Sequence, residues 1–225
     1  MNIILFGPPG AGKGTQADNI AKKFTLHKVS TGDLLREEIG KNTNLGVDVR
    51  SILDKGALVS DDIINNLIMK ILSDKKFFNR LIFDGYPRNL NQAKNLDLLV
   101  KKYNQKISCV LSLNVDRESV IKRILGRQIC TNCGLIFNEN FKPSTNKNHP
   151  CHPKFLTKRS DDNEKTIIDR FETYLNKTLP LLDFYKEQNL LHQINGKAEI
   201  DHIFEEIQGI IASLEAWHYK SYLYK

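Results

Sequence analysis

Asn2-Ile3-Ile4-Leu5-Phe6-Gly7-Pro8-Pro9-Gly10-Ala11-Gly12-Lys13-Gly14-Thr15 sets a short apolar run against a glycine-rich turn, and a helical pattern follows at once. Strand, glycine loop and helix in that order describe a phosphate-binding loop. The spacing G-x-x-x-x-G-K puts Gly7 and Gly12 where the chain must turn sharply and turns backbone N–H groups toward phosphate oxygens, with Lys13 reaching the terminal phosphates. The helix that begins near Lys13 adds the partial positive charge of its N-terminus. Ser or Thr commonly follows the lysine directly; here Gly14 intervenes before Thr15, so the hydroxyl that would meet magnesium shifts to Thr15 or its role weakens. The structural alternative is an ordinary glycine turn.

Working outward, 225 residues suffice for one sizeable core with one or two small inserts. The net charge of +7, from 33 basic and 26 acidic side chains, suits a protein that handles polyanionic nucleotides and is compatible with nucleic acid. No apolar stretch approaches the roughly 20 residues of a membrane span, and the N-terminus enters strand and loop without a signal-peptide pattern, so a soluble cytoplasmic protein is expected. Three of the four cysteines cluster beside two histidines, which fits metal ligation better than a disulfide framework. Cys109 stands alone in an apolar run and reads as core.

Apolar, β-rich runs recur at Asn2–Phe6, Leu81–Asp84, Ile107–Val115 and Leu190–Asn195, with a shorter one at His27–Ser30. Helical patterns lie between most of them, which predicts an α/β fold with a parallel five-stranded sheet flanked by helices. A first helix is expected from Lys13 to Phe24, with Ala17, Ile20, Ala21 and Phe24 on one stripe, and a last from Glu199 to Ala216. From Gly126 to Asp162 helical periodicity gives way to Cys, His, Pro, Asn and Lys, the composition of a β-rich lid. A small helical insert fits between Ser30 and Val59, Asp33-Leu34-Leu35-Arg36 opening one helix and Lys55-Gly56 closing another. The expected division is therefore a core of 1–29, 60–125 and 163–225, an insert of 30–59 and a lid of 126–162. The aromatic, basic tail Trp217–Lys225 reads as a loosely packed terminus or an interface.

Three further motifs stand in order behind the loop: Ser30-Thr31-Gly32-Asp33-Leu34-Leu35-Arg36; Phe83-Asp84-Gly85-Tyr86-Pro87-Arg88 with Gln92; and Arg159-Ser160-Asp161-Asp162 with Arg170. With them the chain resembles the adenylate kinases over nearly its whole length, in the long-lid form typical of bacteria. That resemblance implies a P-loop nucleotide-binding fold and magnesium-dependent transfer from ATP to AMP, giving two ADP. It implies ATP contacts at Gly10, Ala11, Gly12, Lys13, Gly14, Thr15, Arg123 and Arg127, with Arg123 on the donor base. It implies AMP contacts at Thr31, Arg36, Leu58, Val59, Gly85, Arg88, Gln92, Arg159 and Arg170. Lys13, Arg88, Arg123, Arg159 and Arg170 would carry catalysis, while Asp33 and Asp84 would hold magnesium through its waters. Such cation-rich sites suit phosphoryl transfer, whose transition state spreads negative charge over the moving group. Leu58 and Val59 are equally readable as packing residues, and Asp84 as a strand-ending turn. Related pyrimidine-monophosphate kinases usually carry Ala at the Thr31 position, so AMP is the expected acceptor; ATP and GTP remain open as donors. A monomer that binds neither nucleic acid nor membrane is expected. A P-loop switch or ATPase, or a nucleic-acid module using Lys142, Lys147, Lys154 and Lys158, are the readings from other classes.

Cys130-Thr131-Asn132-Cys133 is a C-x2-C knuckle, and members of the resembled family with metal-binding lids add a second pair at x2 spacing to complete a structural zinc site. Counting back from Arg159 places that pair at His149 and His152, with Cys151 a bystander or a substitute ligand. The alternative is a metal-free lid held by hydrogen bonds.

Overall fold

The computed structural model describes residues 1–41, 43–55, 57–145 and 149–223, with side chains as far as residue 216. The chain runs through β1 (Asn2–Phe6), α1 (Lys13–Phe24), β2 (His27–Ser30), α2 (Thr31–Gly40), α3 (Asn44–Asp54), α4 (Asp61–Ser73), β3 (Leu81–Asp84), α5 (Leu90–Lys102) and β4 (Ile107–Asn114). It continues through α6 (Arg117–Leu125), β5 (Arg127–Cys130), β6 (Ile136–Asn138), β7 (Leu156–Thr157), α7 (Glu164–Thr173), α8 (Leu181–Glu187), β8 (Leu191–Asn195) and α9 (Ile200–Leu223).

β2-β3-β1-β4-β8 form one sheet, parallel at every pairing. Every residue of β1 is buried, because helices cover both faces. Alternation of side chains sorts the core into two layers. Ile4, Phe6, Phe83 and Val110 pack toward α4, α5 and α8, while Ile3, Leu5, Ile82 and Leu111 pack toward α1 and α9. Ala17 and Ile20 of α1 meet Ile203, Ile207 and Ile211 of α9 there, as their spacing predicts. Each large apolar side chain so buried contributes about 1.5–3 kcal/mol relative to exposure. Cys109 belongs to the same layer and is fully buried.

β1 lies between β3 and β4, and the glycine loop leaves its C-terminal end where the connections diverge to opposite sides of the sheet. Open α/β sheets bind ligands in that crevice. The other end of the sheet is closed by amides. Asn2, fully buried, donates to Gln105 Oε1 and Lys106 O at 3.1 Å and accepts from Leu81 N at 3.1 Å. Gln105 in turn accepts from Asn79 N at 3.0 Å and donates to Leu72 O at 2.9 Å.

Between α6 and α7 the chain forms a three-stranded antiparallel sheet, β6-β5-β7. Between β2 and α4 it forms the helix pair α2 and α3, capped by Ser30 and Thr43, whose hydroxyls accept from Asp33 N and Gly46 N. The two excursions touch through polar groups: Ser160 donates to Asp54 at 3.2 Å, and Arg159 lies 3.8 Å from Asp33.

Boundaries differ from expectation in small ways. α3 ends at Asp54 with Lys55 as its C-cap, and Gly56 lies outside the described residues, as does Lys147. The last helix extends to Leu223, beyond the apolar stripe; the tail's side chains lie outside the described residues. A π-helical turn, Tyr174–Thr178, continues α7 where simple periodicity gives no warning of one.

Candidate active site

The loop after β1 folds as its glycines dictate. Gly10 has φ +77°, and a Cβ there would stand 2.6 Å from Ile124 Cγ1, so the position excludes a side chain on two counts. The lysine at the head of α1 folds back into the loop, Lys13 Nζ donating to Gly7 O and Pro8 O at 2.8 Å each. Burial deep in the cleft lowers the Lys13 ammonium from 10.5 to about 8, against the opposing pull of the Asp84 carboxylate. A lysine so placed gains from an anionic ligand.

The loop forms one wall of a cavity of about 350 Å³ that Gly10, Ala11, Gly12, Lys13, Gly14 and Thr15 share with Asp33, Arg36, Asp84, Gly85, Arg88, Arg123, Arg127, Arg159 and Arg170. Every arginine singled out in the sequence reaches this space. Burial, reinforced by Arg170, brings Arg88 down to about 10, and burial together with Arg36 and Arg127 brings Arg159 to about 10. Arg159 Nε is buried without a hydrogen-bond partner among the described residues. Cations crowded at mutual expense, one with an unanswered donor, describe a receptor for concentrated negative charge.

Carboxylates hold several of these guanidinium groups in place. Asp162, whose side chain is completely buried, grips Arg127 through two hydrogen bonds, from Nε at 2.8 Å and from Nη2. Asp161 accepts from Arg170 at 2.8 Å, and Asp33 accepts from Arg36 at 2.6 Å. Arg123 donates to Gly196 O at 2.8 Å and lies 5.4 Å from the centre of the Phe141 ring.

A second, smaller cleft opens beside the first, sharing Gly32, Gly85 and Arg88 and lined also by Thr31, Leu58, Val59 and Gln92. Arg88 Nε and the Thr31 hydroxyl both donate to Gly85 O, at 2.8 and 2.9 Å. The Tyr86–Pro87 peptide between them is cis. Thr178 of the π-helical turn donates to Arg88 O at 2.8 Å, fixing the backbone that carries this arginine.

Asp84 ends β3 at the cavity floor, and its Oδ2 would lie 3.6 Å from a Cβ on Gly14. Burial raises its pKa and Lys13 counteracts. A carboxylate in a cavity that Thr15 also lines offers the hard oxygen donors that magnesium takes. Asp33 instead faces Arg36 and Arg159, so its charge is shared with arginines as well as with the cavity.

In the β-rich excursion, Cys130, Cys133, His149 and Cys151 bring their ligand atoms within 4.8 Å of one another. This departs from the pairing of His149 with His152. His152 instead caps the short 3₁₀ turn Pro153–Phe155, its Nδ1 accepting from Lys154 N at 3.1 Å. The one-residue-shorter spacing brings Cys151 in, where Asn132 Nδ2 donates to its sulfur at 3.2 Å. His149 shares a 2.8 Å hydrogen bond through Nδ1 with Ser144, while Nε2 is buried with no hydrogen-bond partner among the described residues. An imidazole oriented through one nitrogen and vacant at the other, among three thiols, fits a zinc ligand set. Zinc–sulfur bonds of about 2.3 Å place tetrahedral neighbours about 3.8 Å apart, within reach of this cluster.

Some contributors escaped the sequence reading. Phe141 is a half-exposed aromatic isolated in a polar stretch, and that isolation was its one signal. Asn138, which donates to Arg123 O at 2.7 Å, and Gly196, which follows the last strand at the ligand-binding end of the sheet, also belong to the cavity's surroundings. Thr178 had no sequence signal.

The sequence is similar to those of known proteins. A family model described as adenylate kinase matches residues 5–190. The adenylate kinase of Pelagibacter ubique is 46% identical over 211 residues, covering 94% of this chain and 99% of that one. Those of Archaeoglobus fulgidus and Bacillus cytotoxicus are 38% and 40% identical, covering 96% and 95% of this chain and the whole of each relative. The likeness thus takes in core, helical insert and β-rich excursion together, and the chain belongs to the adenylate kinase family.

Proposed function

We propose that the chain catalyses the reversible, magnesium-dependent transfer of a phosphoryl group from ATP to AMP, giving two ADP. One observation carries this reading: the phosphate loop and its lysine meet six arginines in a cavity that adjoins a second cleft, which supports places for two ligands side by side. A switch or an ATPase needs one nucleotide cleft.

Chemistry of this kind calls for positioning and charge rather than an acid–base pair. The loop N–H groups and Lys13 receive the donor's terminal phosphates, with Arg123 and Phe141 flanking its base. Arg36 and Arg88 hold the acceptor phosphate while Thr31, Gln92, Leu58 and Val59 surround its base. Arg127, Arg159 and Arg170 neutralise the charge that develops on the group in flight. Magnesium comes with the nucleotide and supplies further charge neutralisation; Asp84 and Thr15 are the residues that would hold it. Zinc in the cluster of three cysteines and one histidine would be structural, since four protein ligands leave no open position.

No described helix is long and apolar enough to cross a membrane. Thiols kept reduced for a metal suit the cytoplasm. The test mixes protein, magnesium, ATP and each nucleoside monophosphate in turn and follows diphosphates by chromatography. ADP formed with AMP supports the reading; hydrolysis of ATP without any acceptor dependence refutes it.

A further inference from the structure

Gln92 sits in the first turn of α5 and is 2% exposed. Its amide has two N–H donors and an oxygen with two lone pairs. Half of that capacity is already committed. Nε2 donates to Asp61 Oδ1 at 2.7 Å, and Oε1 accepts from Arg88 N at 2.8 Å. Asp61, the first residue of α4, also accepts from Asn89 Nδ2 at 2.9 Å, so both amides at the head of α5 converge on one carboxylate oxygen. A carboxylate only accepts and a backbone N–H only donates. Turning the Gln92 amide over would set oxygen against oxygen at Asp61 and N–H against N–H at Arg88.

One N–H and one lone pair of Gln92 remain, in a fixed order, for whatever occupies the adjoining cleft. Thr31 is committed in the same sense. Its proton goes to Gly85 O at 2.9 Å, so the hydroxyl oxygen faces a ligand as an acceptor.

We propose that Asp61 is a positioning residue that sets the choice of acceptor base: by fixing the Gln92 amide, it favours a 6-aminopurine over a 6-oxopurine. A 6-aminopurine offers an exocyclic N–H beside a ring lone pair. A 6-oxopurine offers a carbonyl beside a ring N–H, the reverse pattern, which matches only the overturned amide and brings its oxygen against the Thr31 lone pairs. A site whose buried polar groups are paired by one ligand discriminates strongly against another that leaves them unpaired. This inference rests on the reading that Gln92 lies at the acceptor base.

The test compares AMP with inosine monophosphate as acceptors, at saturating magnesium-ATP, for the parent protein and for Asp61→Asn, Asp61→Ala, Asp61→Glu and Gln92→Ala. Asp61→Ala is expected to lower the AMP-to-IMP ratio of kcat/KM at least tenfold, chiefly through KM for AMP, with KM for ATP unchanged, and Asp61→Asn, whose amide oxygen still accepts from Gln92, to lower it less. Asp61→Glu, which keeps an acceptor-only group, is expected to restore most of the ratio. A purely structural loss would depress both acceptors alike, and thermal unfolding of each variant identifies any that fails to fold. An unchanged ratio in folded Asp61→Ala, with Gln92→Ala still impairing AMP, overturns the role of Asp61. Unchanged AMP kinetics in Gln92→Ala overturn the placement of Gln92 itself.

Discussion

Replacing Cys151 by Ser tests the metal cluster against the His152 alternative, because each residue has a separate job in the structure. Within the described part of 127–157, Cys130 and Phe137 are the buried apolar side chains, and Phe137 packs on the His149 ring at 4.6 Å between centroids. Burial of one phenylalanine is worth about 1.5–3 kcal/mol. A structural zinc site is worth about 10 kcal/mol or more in small domains, so the metal, not the apolar core, dominates the order of this excursion. Loss of one of the three thiolates should weaken zinc at least as much as loss of a supporting partner, about 100-fold, or about 2.8 kcal/mol. His152→Ala removes a cap on a three-residue turn, worth about 1 kcal/mol. Zinc content by elemental analysis after dialysis against a weak chelator, with thermal unfolding alongside, separates the two. We expect near-stoichiometric zinc in the parent and in His152→Ala, and its loss with a lower unfolding temperature in Cys151→Ser. Full zinc in Cys151→Ser together with loss in His152→Ala would refute the cluster as described.

Other expectations follow from single contacts. With Lys13 near 8 in the free protein, kcat/KM for ATP should fall about tenfold per pH unit above about 8, while kcat at saturating nucleotide stays level to higher pH because bound phosphates raise the lysine; parallel declines would refute this. The unfolded chain keeps that proton to 10.5, so through the same group the fold gains stability as pH rises from about 8 to 10.5. Gly10→Ala should cost about 1–3 kcal/mol and weaken ATP binding, since its Cβ would press on Ile124; calorimetry showing neither change would count against the loop geometry. Arg127→Ala strands the buried Asp162 carboxylate and should cost about 3–5 kcal/mol in denaturant unfolding, whereas Arg127→Ala with Asp162→Ala should regain stability without regaining turnover.

What the sequence disclosed was local or ordered. Residues 2–15 state strand, turn and helix within one contiguous stretch, and the arginine motifs retain their order along the chain. The burial of β1 on both faces was legible because its residues are apolar without alternation. Relations between distant residues were hidden. Asp61 and Gln92 stand 31 positions apart, and neither carries a mark of the other. Counting spacings offered His152 as the fourth ligand with Cys151 as its substitute and could not choose between them, because it does not register a 3₁₀ turn that takes His152 as its cap. Thr178 reaches Arg88 through a π-helical turn, which shifts the register that helical periodicity assumes.

The amide cluster around Asn2, Asn79 and Gln105 occupies the end of the sheet opposite the phosphate loop, and this separation divides the molecule by tolerance to change. None of these amides lines the cavity. An engineer seeking a hardier or a more labile protein has the amide end to work with, since gains or losses of a hydrogen bond there, about 1 kcal/mol each, leave the reacting groups where they stand. Populations adapting to heat or cold have the same freedom, and variation in thermal character should accumulate at that end while the loop end keeps its residues.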